Sequence, residues 1–336
     1  MARDVEKKIK TVLGPEHPDT VNSRQSLANI IAKRGRFAEA EAVGLEVISG
    51  KERKLGPRHP STLLSKYYLG SIYQNGGNLS KAEHLLSEVV GVRSEILGEE
   101  HPETLESMEE LGAALWAMSR YKESEERHAR VLEARTRILA PKHPDSLSSM
   151  HNLASTRMAL EDLKHCKALS FKVVELRSII LGDDREDTLL GMNTLATVYR
   201  RLGRLEDAKA LLCKTADSLT KVLGLKDLRT LSAIDTLACT YSDLQELDQA
   251  EKQFSGVVNE RSLVLGPEHA QTLLSVHNHG STLWRQSRWL EAVDLEAKAV
   301  EVSQRVHGPD HPYTPVFIAS LEQMPDSMKN HISSSD

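Results

Sequence analysis

Aromatic residues are scarce in this sequence, 4% of 336 positions, so a core must be filled by aliphatic and small side chains. That composition suits helices lying close together in layers. Absent too is any run approaching about 18 apolar residues, which excludes a helix spanning a membrane. Cysteine is limited to Cys166, Cys213 and Cys239, an odd number without metal-ligand spacing. The amino-terminal stretch MARDVEKKIKTVLG is charged and lacks the apolar centre of a signal peptide. Together these features predict a reduced, cytoplasmic protein. Lys and Arg are scattered rather than gathered in runs and the net charge is −5, so neither nucleic acid nor a membrane surface is an expected partner. No phosphate-cradling glycine loop, no Gly-x-Ser-x-Gly elbow and no zinc spacing is present, and neither a metal nor a cofactor is expected.

What the sequence has in abundance is periodicity. Leu-Gly dipeptides place Gly14, Gly56, Gly98, Gly182, Gly224, Gly266 and Gly308 at intervals of 42 residues or a multiple, with Ala140 filling the one gap. The same frame aligns His17, His59, His101, His143, His269 and His311, and a hydroxyl three positions on at Thr20, Thr62, Thr104, Ser146, Thr188, Thr230, Thr272 and Thr314. Each unit reads as a helical hairpin: glycine closes one helix, Pro cannot continue it, and Thr or Ser is expected to cap the next. In the first helix of the second unit Leu69, Ile72 and Tyr73 share a face, and Gly35, Gly77 and Gly203 mark where such helices end. The second helix runs about 18 residues with apolar positions three and four apart, as in Ala82, Leu86 and Val89.

Leu69, Gly70, Tyr73, Gly77, Leu79 and Ala82, and their counterparts Leu195, Ala196, Tyr199, Gly203, Leu205 and Ala208, resemble the tetratricopeptide signature. The long second helix, with LGPEHPDT from Leu13 and LGPEHAQT from Leu265, is similar to the repeat of kinesin light chains and of fungal multi-repeat proteins. The resemblance covers nearly the whole chain. It implies an all-α, right-handed solenoid of about seven hairpins: residues 1–19 as the remnant of a preceding second helix and its loop, 20–313 as seven repeats, and 314–336 as a closing helix and tail. Repeat four departs from the signature at Ser155, Arg157 and Glu161, and the loops after Gly182 and Gly224 lack His-Pro, so less regular stacking is expected there.

Val5 falls in the column of Val47, Val89, Val131, Val173 and Val257, so the chain is expected to begin inside a second helix without its partner. Such an uncapped end implies a fragment or an end that pairs with another copy, a homo-oligomer. At the other end Thr314 and Pro315 read as cap and first-turn proline of a last helix, followed by a disordered tail, KNHISSSD.

In the family this sequence resembles, ligands lie against the first helices. The matching positions bring together Tyr67, Glu109, His151, Asn193, Asp235 and His277 in one column, Trp116, Arg200 and Trp284 in a second, and Arg201 and Arg285 in the next. Aromatic and cationic groups on one face suit an extended peptide with an aromatic anchor and an acidic group, so the leading expectation is a non-enzymatic scaffold for a peptide or protein partner. Asn152 and Asn278, in HNLA and HNHG, match an asparagine that kinesin light chains place beside cargo peptide. Lys is absent from the Tyr67 column, which disfavours the chaperone-tail clamp of other family members. The alternative is an enzyme or small-molecule binder with Glu109, His151, Asp235 and His277 as acid and base. The histidine column suggests a metal, but equivalent residues of stacked helices stand roughly 8–10 Å apart and cannot share an ion, so turn packing is its expected role. Cys166 is expected in the core, and Cys239 on the inner face.

Overall fold

The computed structural model describes residues 11–324 apart from Leu13, Pro15, Glu16, Asp310 and Pro312. The expected remnant helix around Val5 and the tail KNHISSSD lie outside the described residues. Among the described residues there are fifteen α-helices and no strand. The chain forms two compact units, residues 1–162 and 163–336, so the boundary falls inside repeat four, after Asp162. Unit one carries α1 (Pro18–Lys33), α2 (Phe37–Leu55), α3 (Pro60–Asn75), α4 (Leu79–Leu97), α5 (Pro102–Ala117), α6 (Tyr121–Leu139) and α7 (Pro144–Ala159). Unit two carries α8 (Leu163–Leu181), α9 (Glu186–Arg201), α10 (Leu205–Leu223), α11 (Leu228–Asp243), α12 (Leu247–Val264), α13 (Ala270–Arg285), α14 (Trp289–Val306) and the closing α15 (Thr314–Glu322).

The helix starts correct the sequence reading. Histidine, not the hydroxyl residue, is the cap: Nδ1 of His17, His59, His101, His143 and His269 accepts from the backbone N–H two residues on, at 3.1–3.3 Å. An unprotonated ring nitrogen on an extended residue reaches that orphan donor as a carboxylate or amide oxygen does. Where His is missing, the Asp227 carboxylate takes the same place, and Arg185 offers no side-chain cap. The hydroxyls sit one turn in and are buried. Those of Thr20, Thr62, Thr272 and Thr314 donate back to the carbonyls of Gly14, Gly56, Gly266 and Gly308 at 2.7–2.9 Å, closing the loop onto the helix. Thr314 is accordingly the first residue of α15, and Tyr313 precedes it as cap.

The loop column demands a backbone that L-residues avoid. Gly56, Gly98 and Gly224 have φ near +90° and ψ near 160°, and Ala140 is held in the same region at φ 71°, ψ 157°. Inside each hairpin small residues bring the helices together: Ala28, Ala154, Ala196 and Ala238 on first helices and Ala40, Ala82, Ala208 and Ala250 on second helices are fully buried. Cys166 fills the second of these columns and is buried, as expected. Gly112 marks the tightest approach, since a Cβ there would lie 2.6 Å from His128 Nε2.

Successive hairpins are joined by a column that the sequence reading passed over. Lys51, Arg93, Arg135, Arg177 and Arg261 recur in the 42-residue frame, one per second helix, and all are buried. Each donates to a carbonyl ten residues on, at the start of the next first helix: Ser61, Glu103, Asp145, Asp187 and Gln271. Four also bond a serine hydroxyl one turn further, Lys51 to Ser65, Arg93 to Ser107, Arg135 to Ser149 and Arg261 to Ser275. Burying a cation is costly unless it is hydrogen-bonded, and these rungs offset part of that cost with a carbonyl and, in four of the five, a hydroxyl, although Nε of Arg93 and of Arg261 is left without a partner.

Candidate functional site

Beyond neighbours in the chain, the helices in closest contact among the described residues are first helices: α1 with α3, α3 with α5 and α5 with α7 in unit one, α9 with α11 and α11 with α13 in unit two. First helices therefore form the inner wall of each unit, and the second helices lie outside. The predicted site residues sit on that wall.

Two equivalent polar nodes bridge adjacent repeats there. In unit one the Glu109 carboxylate accepts from Arg135 (2.6 Å), Ser149 (3.0 Å) and Asn152 (3.0 Å). In unit two Asp235 accepts from Ser275 (3.0 Å) with Arg261 at 3.6 Å, while Asn278 points its amide at the Cys239 sulfur, 3.7 Å away. Burial pushes the Asp235 carboxyl above the usual carboxylate range, against the pull of Arg261. The Cys239 thiol is pushed up to about 12 by burial and then by the Asp235 charge, so it is held as a thiol rather than a nucleophilic thiolate. His151 is half-buried beside Asn152. His277 Nδ1 lies 2.6 Å from the fully buried Glu296, which also accepts from Ser320 of α15, and the His277 ring packs 5.2 Å from that of Phe317. Of the four candidate acid–base groups, Glu109 and Asp235 are thus engaged in joining one repeat to the next, and His277 in tying its own hairpin together beneath α15.

The other predicted residues divide between pairing and exposure. Arg200 is paired with Asp243 on the next first helix at 2.8 Å. Arg285 donates to Ser242 at 2.6 Å, Arg201 is exposed, and Asn193 is half-buried. Trp116 ends α5 with 44% of its surface exposed and its ring 6.1 Å from Tyr121; four repeats on, Trp284 stands 6.5 Å from the equally exposed Trp289. Tyr67 lies edge-on to Tyr68 and 5.7 Å from the Arg93 guanidinium. Burial first, then the charges of Glu110 and Glu106, raise its hydroxyl pKa far above the usual tyrosine value. Among the described residues no group of side chains could hold a metal ion, and no helix is long and apolar enough to cross a membrane. The buried cation column, which the 42-residue frame exposes, and Glu103, Glu106 and Glu110 beside the predicted Glu109 on α5 were missed by the sequence reading.

Tetratricopeptide repeat models match the chain over 20–61, continuously through overlapping matches over 61–259, and over 272–313. Among solved structures, the kinesin light chain of nearly identical TPR-like repeats from Podosopora anserina is similar at 29% identity and TM-score 0.55, covering 61% of this chain and 97% of that one. BtubC from P. vanneervenii (14% identity, TM-score 0.52, covering 74% and 94%) and NprR in complex with its cognate peptide NprX (11%, 0.62, 94% and 88%) share the fold. No curated protein matches. With the repeat frame, the hairpin packing and these matches in agreement, the chain belongs to the tetratricopeptide repeat family, in its kinesin-light-chain-like form.

Proposed function

We propose that this protein is a non-enzymatic scaffold that holds a peptide or protein partner against its inner wall. The observation that carries this reading is the exposed Trp116 at the end of α5, beside Tyr121, an arrangement repeated by Trp284 and Trp289. Trp284, the repeat equivalent of Trp116, is half-buried, so the exposed indole of this second pair is Trp289. Indole surface left in water at Trp116 and Trp289 gains nothing for folding and matches the aromatic anchors on which interfaces concentrate their binding energy. The engagement of Glu109 and Asp235 between repeats, and of His277 with the buried Glu296 of its own hairpin, favours binding over acid–base catalysis. That the similarly folded NprR takes a peptide is consistent with it.

The test is a peptide-library screen against the whole chain and a Trp116→Ala, Arg200→Ala, Trp284→Ala variant of unchanged thermal midpoint. Capture by the parent and its loss in the variant is the expected result. Capture that survives the three substitutions places the partner off the inner wall and ends this reading.

A further inference from the structure

The inner wall of unit one opens into a cavity of about 420 Å³ between α3, α5, α6 and α7. Its apolar lining is built from Tyr67, Leu105, Ile138 and Leu139, with Ile138 at the mouth, 48% of its surface exposed. Its rim is the edge of α5, a helix with Glu103, Glu106, Glu109 and Glu110 and neither Lys nor Arg. Two of these carboxylates are answered from the protein side, Glu103 by Arg93 at 3.1 Å and Glu109 by Arg135 at 2.6 Å. Glu106 and Glu110 have no ion-pair partner among the described residues and stand beside the Tyr67 ring; Glu110 accepts from the Ser71 hydroxyl through one oxygen, a neutral donor that leaves its charge unpaired.

We propose that this pocket receives a lysine or arginine side chain from a basic, aliphatic-rich peptide segment, an inference that rests on the scaffold reading and gives its partner a chemistry. A long cationic side chain has the two parts that the pocket asks for: a hydrocarbon stem for Ile138 and Leu139, and a charged head for Glu106 and Glu110. Two like charges beside an apolar lining repel one another, and a cation converts that repulsion into charge-assisted hydrogen bonds. An acidic peptide meets the same carboxylates as a barrier, and an uncharged one removes water from them without replacing it. The arginines that made the sequence suggest an acidic ligand lie elsewhere, in unit two, where Arg200 is already paired.

Fluorescence anisotropy of a labelled Leu-Arg-Leu-Arg-Leu peptide, with its Leu-Glu-Leu-Glu-Leu counterpart, tests the assignment on the whole chain. The arginine peptide binds saturably and the glutamate peptide does not. Glu106→Gln/Glu110→Gln weakens binding at least about tenfold, the scale of one lost charge-assisted contact. Ile138→Lys, at an exposed position that tolerates the change, sets a competing cation at the mouth and weakens it similarly. A Glu126→Gln/Glu175→Gln control removes the same charge from exposed positions elsewhere and leaves affinity unchanged. Equal affinity in all four proteins, or equal loss in the control, overturns the proposal. If the arginine peptide is ignored while library peptides still bind in a Trp116-dependent way, this pocket assignment alone fails; if nothing binds, the scaffold reading fails with it.

Discussion

The two units meet the same packing problem with different chemistry. In unit one every hairpin junction carries a buried cation, Lys51, Arg93 or Arg135, with both a carbonyl and a serine to receive it. Unit two repeats the full arrangement only at Arg261 with Ser275. At its first junction Arg177 faces Gly191 where unit one has serine, keeps the Asp187 carbonyl at 2.8 Å, and has its pKa pushed down by burial. At its second, Leu219 replaces the cation and Ala233 the serine, both fully buried. The position therefore accepts a hydrogen-bonded cation or an apolar pair, as expected where desolvation offsets much of what a buried cation gains.

The largest expected effect breaks a rung. Arg93→Ala should cost about 3–5 kcal/mol, because Ser107 and the Glu103 carboxylate lose their partner and a void remains. Urea unfolding measures it. Arg93→Leu/Ser107→Ala, which copies the Leu219 and Ala233 junction, should return to within about 2 kcal/mol of the parent. A double variant as unstable as the single one would show that the two kinds of junction are not interchangeable.

A smaller effect, of opposite sign, is expected at Ala140. It holds the backbone that Gly56, Gly98 and Gly224 adopt without strain, so Ala140→Gly should raise stability by about 1 kcal/mol, strain relief exceeding the added chain entropy of glycine. A thermal midpoint unchanged or lowered would refute the strain.

The smallest concerns His128 of unit one, which occupies the column where unit two has Leu212. Burial lowers the His128 pKa below 6.5, and its Nδ1 lies 3.0 Å from the Thr156 hydroxyl. The unfolded chain takes up that proton more readily than the folded one. Stability from the neutral ring is therefore complete above pH 6.5 and is lost as pH falls from there toward the lower folded-state pKa. His128→Leu, following Leu86 and Leu212, should flatten the decline in thermal midpoint between about pH 7 and about pH 5. An undiminished decline would assign the titration to other groups.

The fold was legible because one frame repeats without insertion, so each column of like residues reinforces a single reading. The cap was misassigned because Thr and Ser are ordinary capping residues, while histidine caps only through the choice of a ring tautomer that letters do not record. The columns put Glu109, Asn152, Asp235 and Asn278 on first helices. They did not show what those side chains touch, since Arg135 and Arg261 reach them from second helices, whose charges read as solvated. Trp116 was legible for the opposite reason: its exposure depends on its own column, and no distant partner decides it.

The rungs also set how a unit yields to tension. Each closes a loop of only ten to fourteen residues across one junction, from Arg93 to Glu103 and Ser107 for example. Stretching unit one from its ends loads these clasps in series, and parting one frees a single hairpin while the others stay shut. Extension is then expected as a staircase, one repeat of chain per step, which force spectroscopy on the whole chain would record as evenly spaced steps.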